Sequence, residues 1–187
     1  MKKNDAKLSV KEIKSMYGST IDGAPSVYCG TYGKYNEGSL FGMWLDISKF
    51  NDYNEFISVC RQLHADEDDP EFMFQDYECF PRAWYCECGM SEETFNKILE
   101  YAKLDDQERE AYDDYMEWRN EGDIDDFRDS LEGHWDTEED FAEYIIEGCY
   151  DTSSMGQLQY YIDYGRFARD LFMTDYYQGS NGYVFRR

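Results

Sequence analysis

Between residues 64 and 151 the chain carries 31 acidic side chains and six basic ones, a local charge of −25 that any fold of this sequence must disperse. The remainder nearly cancels, so the 187-residue protein has a formal net charge of −23, with 41 Asp and Glu against 18 Lys and Arg. Proteins that grip nucleic-acid phosphates through a basic face need the reverse balance, because their affinity comes from cations displacing counterions. Direct nucleic-acid binding is therefore not expected. Such charge and a mean hydropathy of −0.82 lean towards disorder. The aromatics oppose it: 18 Tyr, 12 Phe and four Trp run along the whole length, enough to build packed cores.

No apolar run is long enough to span a bilayer and the first residues have no signal-peptide core, so a cytoplasmic protein without membrane partners is expected. In that compartment Cys29, Cys60, Cys79, Cys86, Cys88 and Cys149 read as reduced thiols whose main use is packing.

Residues 1–24 read as a basic, loosely attached and flexible extension. Five Lys in the first 20 residues face only Asp5 and Glu12, and Gly18, Gly23 and Pro25 break whatever short helix Leu8, Ile13 and Met16 support. Residues 25–90 follow a ββαβ pattern. Strands are expected over 27–32 and 41–47 as a hairpin with a glycine-studded connection, then a helix over 52–64 carrying Phe56, Ile57, Cys60 and Leu63, then a strand around Phe72 and Phe74. Residues 91–132 read as a central helical bundle, with helices after Ser91, over 106–120 and over 124–131. Residues 133–187 return to α+β: a helix capped by Thr137 and Asp140, another over 164–172, and a hairpin closing at 183–185. The fold class is α+β in three small domains.

Projected at about 100° per residue, Glu110, Asp113, Asp114, Glu117 and Glu121 fall on one negative stripe opposite Ala111, Tyr115 and Trp118. Five carboxylates over eleven steps give roughly one charge per 3–4 Å, close to the ~3.4 Å spacing of phosphates along one DNA strand. Like charges four apart destabilise a helix by a few tenths of a kcal/mol each, so an offsetting use is expected. Plain solubility explains any one acidic run. A charge density close to that of nucleic acid, held on ordered helices, suits occupation of a basic DNA-binding groove.

Placed chemistry is missing elsewhere. Gly33-Lys34 lacks the preceding glycine and following hydroxyl of a P-loop, and Asp123, Asp125 and Asp129 lack the central Gly and terminal Glu of a calcium loop. His64 and His134 sit in no HExxH and read as surface or boundary residues. Cys79, Cys86 and Cys88 lack the paired CxxC spacing of zinc sites and read as ordinary thiols. No catalytic residue, cofactor or metal is expected.

The words Gly30-Thr31-Tyr32-Gly33-Lys34-Tyr35-Asn36-Glu37-Gly38, Trp44-Leu45-Asp46, Asp69-Pro70-Glu71 and Phe74-Gln75-Asp76-Tyr77-Glu78 resemble the ArdA antirestriction family. Tyr161-Ile162-Asp163-Tyr164, Phe167-Ala168-Arg169-Asp170-Leu171 and Val184-Phe185-Arg186-Arg187 resemble its closing segment. The resemblance runs over about residues 26–187; the basic extension and the cysteine-rich patch 79–88 depart from it. It implies an elongated, three-domain, non-catalytic mimic of B-form DNA, carried by mobile elements, that inhibits Type I restriction-modification enzymes by occupying the DNA groove of their methyltransferase core. It also implies a homodimer through the C-terminal domain. Two copies at −23 match in charge about 23 base pairs of duplex. The expected phosphate substitutes are Asp66, Glu67, Asp68 and Asp69, the stripe from Glu110 to Glu121, and Asp123, Asp125, Asp126, Asp129, Glu138 and Glu139. The competing reading is an acidic chaperone or sink for basic DNA- or RNA-binding proteins, which demands charge without geometry.

Overall fold

A computed structural model describes residues 7–19, 23–120 and 122–187. The fold is mixed α+β, with two three-stranded antiparallel sheets among the described residues. The chain divides into two compact units, Met1–Leu104 and Asp105–Arg187. The helices of the expected middle segment, 91–132, fall on both sides of that division.

In the first unit the order is α1 (Val10–Tyr17), β1 (Ser26–Thr31), α2 (Tyr32–Asn36), β2 (Met43–Asp46), α3 (Tyr53–Leu63), β3 (Phe72–Glu78) and α4 (Glu92–Tyr101). The sheet order is β2-β1-β3, with Val27 opposite both Leu45 and Tyr77 and a register shift between Tyr28 and Cys29. Helix α3 starts on an Asp52 cap and buries Phe56, Val59, Cys60 and Leu63, the face that its 3.6-residue period predicts. Phe56 stacks on Phe74 of β3 at 5.8 Å and on Phe95 of α4 at 5.2 Å, so α4 closes this core. The β1–β2 connection differs from a plain glycine loop. Thr31 caps a short helix within it, because its hydroxyl accepts from the Lys34 N–H.

Within the expected loose extension, residues 9–18 are held in place. Ser9 and Glu12 form a capping box for α1, Ile13 is fully buried, and Tyr17 stacks on Phe50 at 4.5 Å while donating to Glu55 at 2.8 Å. Lys49 Nζ donates to the Gly18 carbonyl at 2.7 Å, fixing the end of the helix. One isoleucine and one tyrosine on the same face suffice to dock an eight-residue helix, which the glycine breaks and basic charge obscure. The parts of that expectation on residues 1–6 and 20–22 lie outside the described residues.

The second unit runs α5 (Asp106–Arg119), α6 (Ile124–Ser130), β4 (Leu131–His134), α7 (Glu138–Cys149), a 3₁₀ segment (Thr152–Tyr161) interrupted at Gly156, α8 (Tyr164–Thr174), β5 (Tyr176–Gln178) and β6 (Tyr183–Arg186). The closing hairpin β5–β6 is present, and β4 adds to its other edge in the order β4-β6-β5. Strand β4 had no period-2 signal, since Leu-Glu-Gly-His offers one apolar side chain. Tyr112, Tyr115, Phe127 and Phe185 interlock as one buried aromatic cluster, with Tyr115 to Phe185 at 5.8 Å and Tyr112 to Phe127 at 5.2 Å.

Ile13→Ala should destabilise the first unit by about 2–4 kcal/mol, the usual range for emptying a buried aliphatic site. Urea denaturation checks this; an unchanged midpoint would mean that α1 contributes nothing to that unit.

Candidate functional site

Two of the acids expected as phosphate substitutes in the first unit are answered by a half-buried lysine. Lys34 Nζ lies 2.7 Å from Asp66, 2.9 Å from Glu67 and 3.0 Å from His64 Nδ1, and Thr31 Oγ1 donates to Glu67 at 2.8 Å. An ammonium only donates, so Nδ1 of His64 accepts, which leaves its Nε2–H to donate to the Cys29 carbonyl at 3.3 Å. His64 is therefore a fully buried structural residue and not the surface or boundary one expected; His134 is exposed. The hydrogen bond from Lys34 holds the Asp66 carboxyl below its ordinary value. Burial pushes Glu67 up, but its bonds from Lys34 and Thr31 outweigh that and leave it lowered too. His64, Asp66 and Glu67 also have the spacing of a three-ligand cation site, but the Lys34 ammonium contacts all three. Of the four acids expected here, Asp68 and Asp69 are the ones left exposed and without a cation.

The second unit is different, holding 23 acidic and seven basic residues, a charge of −16, against 18 and eleven, or −7, in the first. Much of this acid sits where helices accept it. Asp125 and Asp126 occupy the first turn of α6 behind the Asp123 cap, and Glu138 and Glu139 the first turn of α7 behind Thr137. Unpaired N–H groups and the macrodipole make the first turn favourable for anions, worth about 0.3–1 kcal/mol each at an exposed site. On α6 and α7 this offsets like-charge repulsion, but it does not reach Glu110, Asp113 or Glu117 along α5. Asp123 and Asp126 are further tied, since the Asp126 N–H donates to Asp123 Oδ1 at 2.8 Å.

Along α5 the expected stripe divides. Glu110, Asp113 and Glu117 are exposed, but Asp114 is 1% exposed and faces inward. Its carboxylate accepts from the Asn181 N–H at 3.0 and 3.1 Å, from Asn181 Nδ2 at 2.9 Å and from Ser180 Oγ at 3.1 Å. Asp114 is thus the anchor of the β5–β6 turn, not a phosphate substitute. A side chain four residues before Trp118 lies only roughly 40° from it around the helix, at the edge of the apolar face. The turn lands on that edge, and Gly179 permits it, because a Cβ there would overlap the Asp114 carboxylate. The spacing along α5 puts Asp114 nearer the apolar face than Asp113, and a Gly-Ser-Asn-Gly turn in need of an acceptor was the further clue. Glu121 lies outside the described residues.

What remains at the surface of this unit is Glu110, Asp113, Glu117, Asp123, Asp125, Asp126, Asp129, Glu138 and Glu139, all exposed. Among the described residues none of these forms an ion pair; the unit's arginine bridge, Arg186 to Glu132 at 2.7 Å, uses another acid. Asp113 shows the cost. Burial first, then the negative charges of Asp114, Glu117 and Glu110, push its carboxyl above the ordinary value of 3.8.

Asp114→Ala should cost the second unit about 2 kcal/mol by removing the buried carboxylate that binds the Ser180 and Asn181 donors of the turn, whereas Asp113→Asn should stabilise it by about 0.5 kcal/mol by relieving repulsion at i−3 and i+4. A raised folded-state pKa means the folded form takes up the proton first, so the penalty is fully present above that pKa and fades as pH falls to the unfolded value. The advantage of Asp113→Asn in thermal unfolding should therefore hold at neutral pH and vanish in acid; an advantage that grows in acid would reverse this reading.

Comparison with known proteins adds identity to this geometry. No curated protein aligns significantly with the chain. The family model described as Antirestriction protein (ArdA) matches residues 27–185. That match spans most of both units and leaves residues 1–26 and the last two residues outside it, and on that extent of agreement the chain belongs to the ArdA family of antirestriction proteins.

Proposed function

We propose that this protein counters restriction by mimicking DNA: its exposed acids stand in for phosphates and compete for the DNA groove in the methyltransferase core of Type I restriction-modification enzymes in the host cytoplasm. The observation that carries this is the set of exposed carboxylates, free of ion pairs among the described residues, on folded helices α5, α6 and α7. With Asp114 turned inward, Glu110, Asp113 and Glu117 give roughly one charge per 5 Å of helix axis, thinner than the ~3.4 Å of one DNA strand. Neighbouring first-turn acids of α6 and α7 then supply part of the density. Binding by the target rests on counterion release, so a rigid polyanion competes on the same term and weakens with salt. The mechanism asks for no catalytic residue. The elongated three-domain arrangement belongs to the same proposal.

A homodimer through the second unit is the other part of the reading. Large apolar side chains stand exposed there, including Tyr144 (56%), Tyr150 (60%), Leu158 (66%), Tyr160 (80%), Tyr161 (82%) and Met173 (69%). Large apolar side chains exposed in this number are what a self-complementary interface would bury.

Titrating the protein against labelled DNA bound to a Type I methyltransferase, across a salt series, tests the decoy. Displacement at low ionic strength that fades with salt is expected, with each exposed acid contributing gradually. No displacement would refute it for that enzyme, and unchanged inhibition after reshuffling the exposed acids at constant charge would favour the acidic-chaperone reading. Replacing Leu158 and Tyr161 together with Asp should shift the sedimentation coefficient to that of a monomer; no change would place any dimer contact elsewhere.

A further inference from the structure

Four of the six cysteines are exposed, contrary to a packing role, and two of those are paired. Cys86 Sγ and Cys88 Sγ lie 2.8 Å apart. The loop that carries them is pinned to β3 on both sides of Phe74: Tyr85 Oη donates to the Phe74 carbonyl at 2.6 Å, and the Phe74 N–H donates to the Glu87 carbonyl at 2.9 Å. A turn closed by the Gly89 N–H on the Cys86 carbonyl then sets the two side chains together. Cys29 and Cys60, by contrast, are buried and are the thiols that do serve packing.

A soft metal site is the weaker use of this pair. Tetrahedral zinc needs three or four ligands, and among the described residues the grouping of three His, Cys, Asp or Glu ligand atoms is His64, Asp66 and Glu67. Two adjacent thiols are instead complete for disulfide exchange.

We infer that Cys86 and Cys88 form a redox-active dithiol for small-molecule disulfides, with Cys86 the attacking and Cys88 the resolving sulfur. The surroundings suit that division. The Cys88 thiol and the backbone N–H groups of Cys88 and Gly89 donate towards Cys86, and with the Arg82 guanidinium nearby they draw its thiol below the ordinary value; Cys88 moves the opposite way because of the sulfur beside it. Arg82 is itself held by a bond to the Tyr85 carbonyl at 3.0 Å and by its place over the Tyr85 ring at 4.9 Å. In the first step the Cys86 thiolate attacks one sulfur of a disulfide such as oxidised glutathione, forming a mixed disulfide and expelling one glutathione thiolate. Cys88 gives up its proton, attacks Cys86 Sγ and expels the second glutathione. Two protein thiols lose two electrons and two protons, and the small disulfide gains them as two thiols. This inference is independent of the antirestriction reading.

The test is to treat the native full-length protein with oxidised glutathione, block remaining thiols with iodoacetamide and map tryptic peptides. Cleavage after Arg82 and Lys97 separates this pair from Cys79. The peptide should be lighter by two hydrogen atoms, with no adduct. Cys88→Ser should trap one glutathione on Cys86 several-fold faster than on exposed Cys79 or Cys149, whereas Cys86→Ser should leave Cys88 no faster than those two. Full alkylation of both thiols in the wild-type protein, or equal rates at the two positions in the single variants, would overturn the inference.

Discussion

Aromatic burial opposes electrostatic self-repulsion in this protein, and the balance between them shapes everything else. A net charge of −23 favours expansion, and the chain resists it with two cores built on rings. Phe56, Phe74 and Phe95 form the first, and Tyr112, Tyr115, Phe127 and Phe185 the second. Each ring buries on the order of 150–250 Å², so a few of them give a small unit an interior without many residues. That economy leaves the outward positions free to carry acid.

The acids that remain are not spread evenly over the helices. Asp125, Asp126, Glu138 and Glu139 sit in first turns, where free N–H groups favour them, and Asp123 caps its helix outright. Charge that helps the helix to form is also charge presented to solvent, so one residue meets a folding need and a surface need together. Asp113 has no such compensation; burial and its neighbours push its proton affinity up. The adjacent Asp114 is used in the opposite sense, as a buried acceptor that joins α5 to the closing hairpin.

The two units handle charge by different means. In the first, Lys34 contacts Asp66, Glu67 and the buried His64 ring, so two acids that follow α3 in sequence are tied to a cation. In the second, the exposed acids of α5, α6 and α7 named above form no ion pair among the described residues. Decoy behaviour on this view belongs chiefly to residues 105–187, while the first unit adds Asp68 and Asp69.

Local rules carried much of the fold. Cap residues Asp52, Ser91 and Thr137, helical spacing at Phe56, Cys60 and Leu63, and the Gly-Ser-Asn-Gly turn each act within a few residues, so sequence alone determined helices α3 to α8, the first sheet's strands and the closing hairpin. It also determined the acidity and, through family words spread over most of the chain, the antirestriction class. Tertiary structure decided what depends on partners far along the chain: the docking of α1 through Ile13, the addition of β4 to β6, the burial of His64 and the inward turn of Asp114. A carboxylate's neighbours in sequence are the same whether it faces water or a turn 67 residues away, and only the packing of that turn on α5 determines which of two adjacent aspartates is a surface charge and which is an anchor.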